Sequence, residues 1–363
     1  MNHENADTLN AESVLENLTR TLLYEGYALY PYHRSAIKNQ KPVPFGVVFP
    51  NDYTAYNEHA HSTMQTQCIV TGSNYLLINI TVRFLHLKKI ELLEHVIQKE
   101  NAYDDFVPVY NLCINEKSYQ AGWQTIERKL STENLLISDL MKKKKIILIE
   151  FDSIYDSKNL NDENGEVTAK QINSVSIIKG TVIIEAAPVE NMQDAFRITV
   201  NITNTTPVEN AEAVSRDEVI SQSFLSTHTI LKTTNAEFIS HQNPGEKWKA
   251  SIAACENMNT WPILIDESDT TLLSSPIILY DYPQINPQSH GDLFDSTEIE
   301  EALLLHVNLL SDEEKKRIGQ SDEKLQAMLQ KVSEITPEEL INFHSGLRSI
   351  PENNILNEKK SEV

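Results

Sequence analysis

Between Tyr75 and Leu87 the even positions Leu76, Ile78, Ile80, Val82 and Phe84 are apolar, while Asn79, Thr81 and Arg83 alternate with them. A period of two over this length assigns the two side-chain sets to opposite faces of a strand and does not fit the period of an amphipathic helix. Such a strand needs neighbours for its backbone donors and acceptors, so sheet partners must come from elsewhere in the chain. Shorter strand signals follow at Ile146 to Phe151, Val175 to Ala186, Phe196 to Thr203, Ser226 to Ser240 and Ser275 to Tyr282, with Asn, Gly, Asp and Pro clusters between them. Many strands, few helices and mostly local turns predict an α+β, mainly β chain with an antiparallel β-sandwich-like core. Residues 156–171 read as an exposed polar excursion, and Ile90 to Lys99 as a helix between two strands.

Both ends read differently from this core. Val14, Leu15, Leu18, Leu22 and Leu23 fall at helical spacing behind a cap at Asn10 or Ser13, which predicts an amphipathic helix that docks on the sheet. After about residue 290, Asp295 with Glu298, Ser311 with Glu314, and Thr336 with Pro337 and Glu339 each place an oxygen acceptor ahead of a helix and a carboxylate three residues later. Ser321 or Asp322 offers a further start, for a helix whose apolar face is Leu325, Met328, Leu329 and Val332. The expected organisation is an N-terminal helix over 1–25, a β-rich core over 26–290, a helical subdomain over 291–346 and a disordered tail over 347–363.

With 52 acidic against 31 basic residues the formal charge is −21, so a phosphate-tracking surface would have to work against the protein's own field. Nucleic acid is therefore not an expected partner, and the basic run Lys142 to Lys145 reads as the solvated start of a strand. No apolar run reaches the roughly 18 residues a membrane helix needs, so no membrane insertion is expected. The opening residues lack the basic start and apolar stretch of a secretory signal, and the 3 cysteines, Cys68, Cys113 and Cys255, form no disulfide framework. Both features fit a cytoplasmic protein.

Glu58, His59 and His61 gather candidate ligands that Cys68 would complete into a metal site; a solvated His- and Asn-rich loop explains the same residues, and no metal or other cofactor is favoured. His290, Asp292 and Asp295 form a second polar cluster, in which Asp295 is already needed as a cap. No nucleophile elbow, zincin helix, phosphate loop or dinucleotide turn occurs. Two segments, Tyr24 to Phe49 and Pro276 to Phe294, combine aromatics, prolines and a few charges without a sustained period. In the first, Tyr30, Tyr32, His33, Arg34 and Lys38 offer stacking faces and cationic donors for a carboxylate or a peptide. In the second, Tyr280, Asp281 and Asp292 stand ready as partners. The competing account has the tyrosines and prolines wedging the first helix onto the sheet, with Arg34 paired to Asp281 or Asp292.

These two segments carry a family resemblance. LLYEGYALYPYHRSAIKNQ with PFGVVFP, then SPIILYDYPQINPQSHGDLFDSTEIEEALLLHVNLLSDEEKKRI, and ITPEELINFHSGLR resemble a group of uncharacterised bacterial proteins encoded beside the genes of oxygen-tolerant nickel-iron uptake hydrogenases. The likeness covers roughly residues 20–50 and 275–348. It implies a non-enzymatic accessory protein that assists assembly or stabilisation of a hydrogenase or its electron-transfer partners, by contact with hydrogenase subunits or maturation factors. It implies no catalytic or metal-binding residue, and an acidic residue and a proline stand in the group where Gln288 and His290 are found here. The cysteines are too few for an iron-sulfur cluster, which takes about four. Two alternatives stay open: an enzyme whose site, between the β core and the helical subdomain, uses His33, Arg34, Tyr280, Asp281 or Asp292; and a ligand-binding β-sandwich module, which as a carbohydrate binder would require secretion and exposed aromatic platforms.

Overall fold

The computed structural model describes residues 15–24, 45–97 and 104–283, together with the exposed helical positions 326, 327 and 330. The segment carrying Tyr30, Tyr32, His33, Arg34 and Lys38 lies outside the described residues, as do His290, Asp292, Asp295 and most of the expected C-terminal helical subdomain.

The alternating run at Tyr75 is the middle of a much longer strand, β1 (Thr63–Ile97), which runs for 35 residues and organises the fold. Along one edge it pairs in turn with β11 (Ala195–Asn204), β6 (Leu135–Leu136), β5 (Gly122–Ser131) and β2 (Asp104–Val109). Along the other it pairs with β12 (Leu225–Phe238) and then β9 (Val167–Val175). Register shifts between Gly72 and Leu77, and between Arg83 and Leu85, re-aim the strand as its partners change. Beyond β11 come β10 (Ile178–Pro188) and β7 (Lys145–Phe151); beyond β12 come β14 (Thr271–Ser275) and β13 (Trp261–Leu264). The hairpin strand β8 (Ile154–Asn161) pairs with β9, which makes a sheet of 12 strands with antiparallel ladders throughout. A separate hairpin joins β3 (Asn111–Ile114) to β4 (Lys117–Gln120) through Asn115 and Glu116, both at positive φ as a two-residue hairpin turn demands.

The core follows from the alternation. Met64, Cys68, Val70, Leu76, Ile78, Ile80, Val82 and Phe84 of β1 join Ile198, Val200 and Ile202 of β11 and Val182 and Ile184 of β10 in one buried cluster. The short helix α2 (Ile137–Lys142) closes it with Ile137 and Leu140. Phe84 stacks on Phe224 at 4.7 Å and meets Phe151 edge-on at 6.3 Å. A second cluster seats helix α1 (15–23) on the sheet, with Leu15, Leu18 and Leu22 against Ile230, Ile263, Ile265 and Leu273. A third sets Trp248 and Ile252, at the start and within α3 (Lys249–Ala253), against Ile69 and Ala195.

Three expectations are corrected. Residues from Ile90 to Ile97 continue β1 as strand, because pairing with β9 and β2 prevails over an apolar spacing that also fits a helix. The polar stretch 156–171 is not an excursion but most of the β8–β9 hairpin. The expected strand at Ser275 to Tyr282 stops at Ser275, and an extended strap without ladder pairing follows. Among the described residues no helix is long and apolar enough to cross a membrane.

Candidate functional site

Residues 276–283 leave β14 as this strap, and their alternation decides what they present. Ile277 and Leu279 pack against the cluster under α1. Ile278 and Tyr280 point outward, 74% and 86% exposed, and Tyr282 is 41% exposed. The outward aromatics are held, not loose. The Asp281 carboxylate accepts from the Ser240 hydroxyl at 2.5 Å and from the Leu264 amide at 2.9 Å. Gln242 clamps the strap from the side, its amide nitrogen donating to the Leu279 carbonyl at 2.5 Å and its amide oxygen accepting from the Asp281 amide at 3.2 Å. Tyr282, at positive φ, donates its hydroxyl to Asp269 at 2.8 Å and its amide to the Leu264 carbonyl at 2.8 Å. Burial, and then the carboxylate of Asp269, push the Tyr282 phenol up to about 12. The predicted site residues Tyr280 and Asp281 thus differ in role: Tyr280 is offered to solvent, and Asp281 is the anchor that makes the offer rigid.

Beside the strap, His241 carries a buried Nε2 with no hydrogen-bond partner, and burial pushes the ring down to about 4 against the opposing pull of Asp281. A broad cleft of about 640 Å³ opens nearby, between Gly72, Asp194, Glu237 and Thr270. Its aromatic wall, Trp248, is 8% exposed and has the Lys247 ammonium over its ring at 4.8 Å. Among the described residues no histidine or cysteine lines the cleft.

Among the described residues, two arrangements that resemble catalytic chemistry are centred on buried side chains, Arg83 and His228. Arg83 is 2% exposed; its guanidinium donates to Glu127 through Nε at 2.8 Å and Nη2 at 2.5 Å, and grips both oxygens of Glu16 on α1 at 2.8 and 2.9 Å. Burial alone would lower the Arg83 pKa, but the two carboxylates raise it. Burial likewise acts to raise Glu16, and Arg83 outweighs it and holds the carboxyl below its ordinary range. Burial, and then the charge of Glu127, push the Tyr24 phenol to about 12. His228 lies 2.7 Å from the Ser226 carbonyl at Nδ1 and 3.2 Å from the Ser275 hydroxyl at Nε2. The carbonyl requires a proton on Nδ1, so Nε2 accepts from Ser275. This is the connectivity of a nucleophile and its base, yet His228 and Ser275 are both fully buried, and Ser275 also accepts the Ile277 amide at 3.1 Å. The pair ties the root of the strap to the sheet.

The candidate metal ligands are dispersed by the fold. His59 and His61 are exposed near the start of β1, whereas Cys68 lies in the main core with burial pushing its thiol up. Among the described residues no group of three or more histidine, cysteine or acidic side chains is placed to hold a metal ion. What sequence reasoning missed is the clamp: Ser240 and Gln242 come from one stretch of chain and Leu264 from another, and no local spacing links either to Asp281. Comparison with known protein families, with curated proteins and with solved structures finds no match to this chain.

Proposed function

We propose that this chain is a non-enzymatic accessory protein that works by protein-protein contact, with the Ile278–Tyr280 strap as its docking element. The observation that carries this reading is the strap's construction: two large apolar side chains held out into solvent by a backbone pinned through Asp281, Gln242 and Tyr282. Exposed aromatic anchors on a preorganised backbone bind with little ordering cost, and such anchors carry a disproportionate share of interface energy. The Ser275–His228 pair and the Arg83 guanidinium are by contrast sealed and committed to structure, which favours a binding role over catalysis.

The expected partner is a nickel-iron hydrogenase subunit or one of its maturation factors, on the strength of the family resemblance in the two segments that include the strap. Deleting the gene in its native host and complementing it tests this. Hydrogen uptake should fall on deletion and return with the wild-type chain but not with Ile278→Asp/Tyr280→Ala. Unchanged hydrogen uptake after deletion would overturn the assignment.

A further inference from the structure

Strand β7 ends the sheet: it pairs with β10 and with no other described strand. Its odd positions face inward, with Ile149 fully buried and Ile147 and Phe151 packed against the core. Its even positions face outward, Ile146 and Leu148 being 49% and 62% exposed, with Lys144 just before the strand and Glu150 near its end. The apolar character is local to this edge. On the same outer face β11 carries Thr199, Asn201 and Thr203, β10 carries Thr181 and Ile183, and only β7 presents a pair of exposed aliphatics. A regular, apolar, unpaired edge strand is what soluble folds avoid unless something pairs with it. Neither Lys144 nor Glu150 makes an ion pair with a described residue.

We propose that β7 pairs antiparallel with β7 of a second copy of this chain, about a two-fold axis through Ile147 and perpendicular to the sheet. Such an axis keeps every side chain on its own face, so even positions meet even positions. Centred on Ile147, Ile146 stands opposite Leu148 of the second copy and Lys144 opposite its Glu150, and symmetry makes each match twice. Centring on Ile146 would set Lys144 against Leu148, and centring on Leu148 would set Ile146 against Glu150. Of these neighbouring registers, only the one at Ile147 joins apolar to apolar and opposite charge to opposite charge. The basic run Lys142–Lys145 also reverses locally the −21 charge that drives two copies apart. Pairing over so short a strand lies at the small end of stable interfaces, so the dimer is weak and concentration-dependent.

Sedimentation velocity on the full chain, over a concentration series from about 1 to 100 µM, tests this. The mass should rise toward that of two chains, and Leu148→Lys, which alters an outward side chain, should hold it at one. Lys144→Glu and Glu150→Lys should each weaken the dimer about ten-fold, and the double reversal should restore it. A chain that stays monomeric throughout, or a dimer indifferent to all three substitutions, would overturn the proposal. The strap variant Ile278→Asp/Tyr280→Ala should dimerise as the wild type does, so this result stands or falls separately from the hydrogenase reading.

Discussion

Arg83 and His228 face each other across the β1–β12 ladder, two basic side chains buried side by side, and only Arg83 is charged. Arg83 keeps its charge because Glu16 and Glu127 surround the guanidinium. His228 gives up its charge because burial, and then the field of Arg83, drive its ring down to about 4. The fold therefore needs a neutral imidazole next to a fixed cation.

Stability should accordingly depend on pH in a defined direction. Unfolded, His228 takes up a proton near its ordinary value of about 6.5; folded, it waits until about 4. The unfolded state binds more protons within that window, so stability is full above it and falls as the pH drops through it, by on the order of 3 kcal/mol for this fully buried ring. Burial shifts His86 and His241 the same way. Urea unfolding at stepped pH should show the decline, and His228→Asn should flatten it while lowering stability at neutral pH. A pH-independent midpoint between 7 and 4 would contradict this.

The two carboxylates on Arg83 should not weigh equally. The Glu16 side chain is 54% exposed and the Glu127 side chain 30% exposed. Glu127→Ala strips the more buried partner and leaves a buried guanidinium short of charge, at a cost of about 2–3 kcal/mol. Glu16→Ala should cost under about 1 kcal/mol, as exposed pairs do. Chemical denaturation of both variants checks the ranking, and a larger loss at Glu16 would reverse it.

His86 presents the opposite case to His228. It is fully buried, both ring nitrogens lack a partner, and the backbone of Ser176 and Ser221 approaches without reaching hydrogen-bond geometry. A buried polar group that makes no bond is worth less than an apolar one of similar shape. His86→Leu should leave stability unchanged or raise it, in contrast to His228→Leu, which orphans the Ser275 hydroxyl. Thermal melts of the two variants separate them.

Gly180 on β10 lies where the Phe84–Phe224 stack meets the sheet. A Cβ there would come within 2.5 Å of the Thr203 carbonyl oxygen and 2.7 Å of the Phe224 ring. Gly180→Ala should cost about 1–3 kcal/mol through overpacking and change the near-ultraviolet dichroism of the phenylalanine cluster. A neutral substitution would show that the ring has room to withdraw.

How much of this was legible depended on which faces are buried. The middle of β1 was readable because Leu76, Ile78, Ile80, Val82 and Phe84 fill the main core cluster while Leu77, Asn79, Thr81 and Arg83 between them do not. The β8–β9 hairpin was not, because Ile154 to Asn159 are exposed on both faces and leave no apolar period. Residues 90–97 misled because Ile90 and Leu93 match a helical spacing as well as a strand, and only the distant partners β2 and β9 decide between them. At the site, the aromatic and proline-rich character around Tyr280 was visible locally. The anchoring of Asp281 by Ser240 and Leu264, and the Arg83–His228 pairing, are products of long-range register.

Affinity purification of the tagged chain from its native host, at low salt and beside the Ile278→Asp/Tyr280→Ala variant, tests whether the strap docks on a hydrogenase component. Hydrogenase subunits or maturation factors should come with the wild-type chain, identified by mass spectrometry, and be lost from the folded variant. Recovery of the same chains by both proteins would contradict the strap as the docking element. A wild-type chain recovered without any hydrogenase component would contradict the accessory role itself.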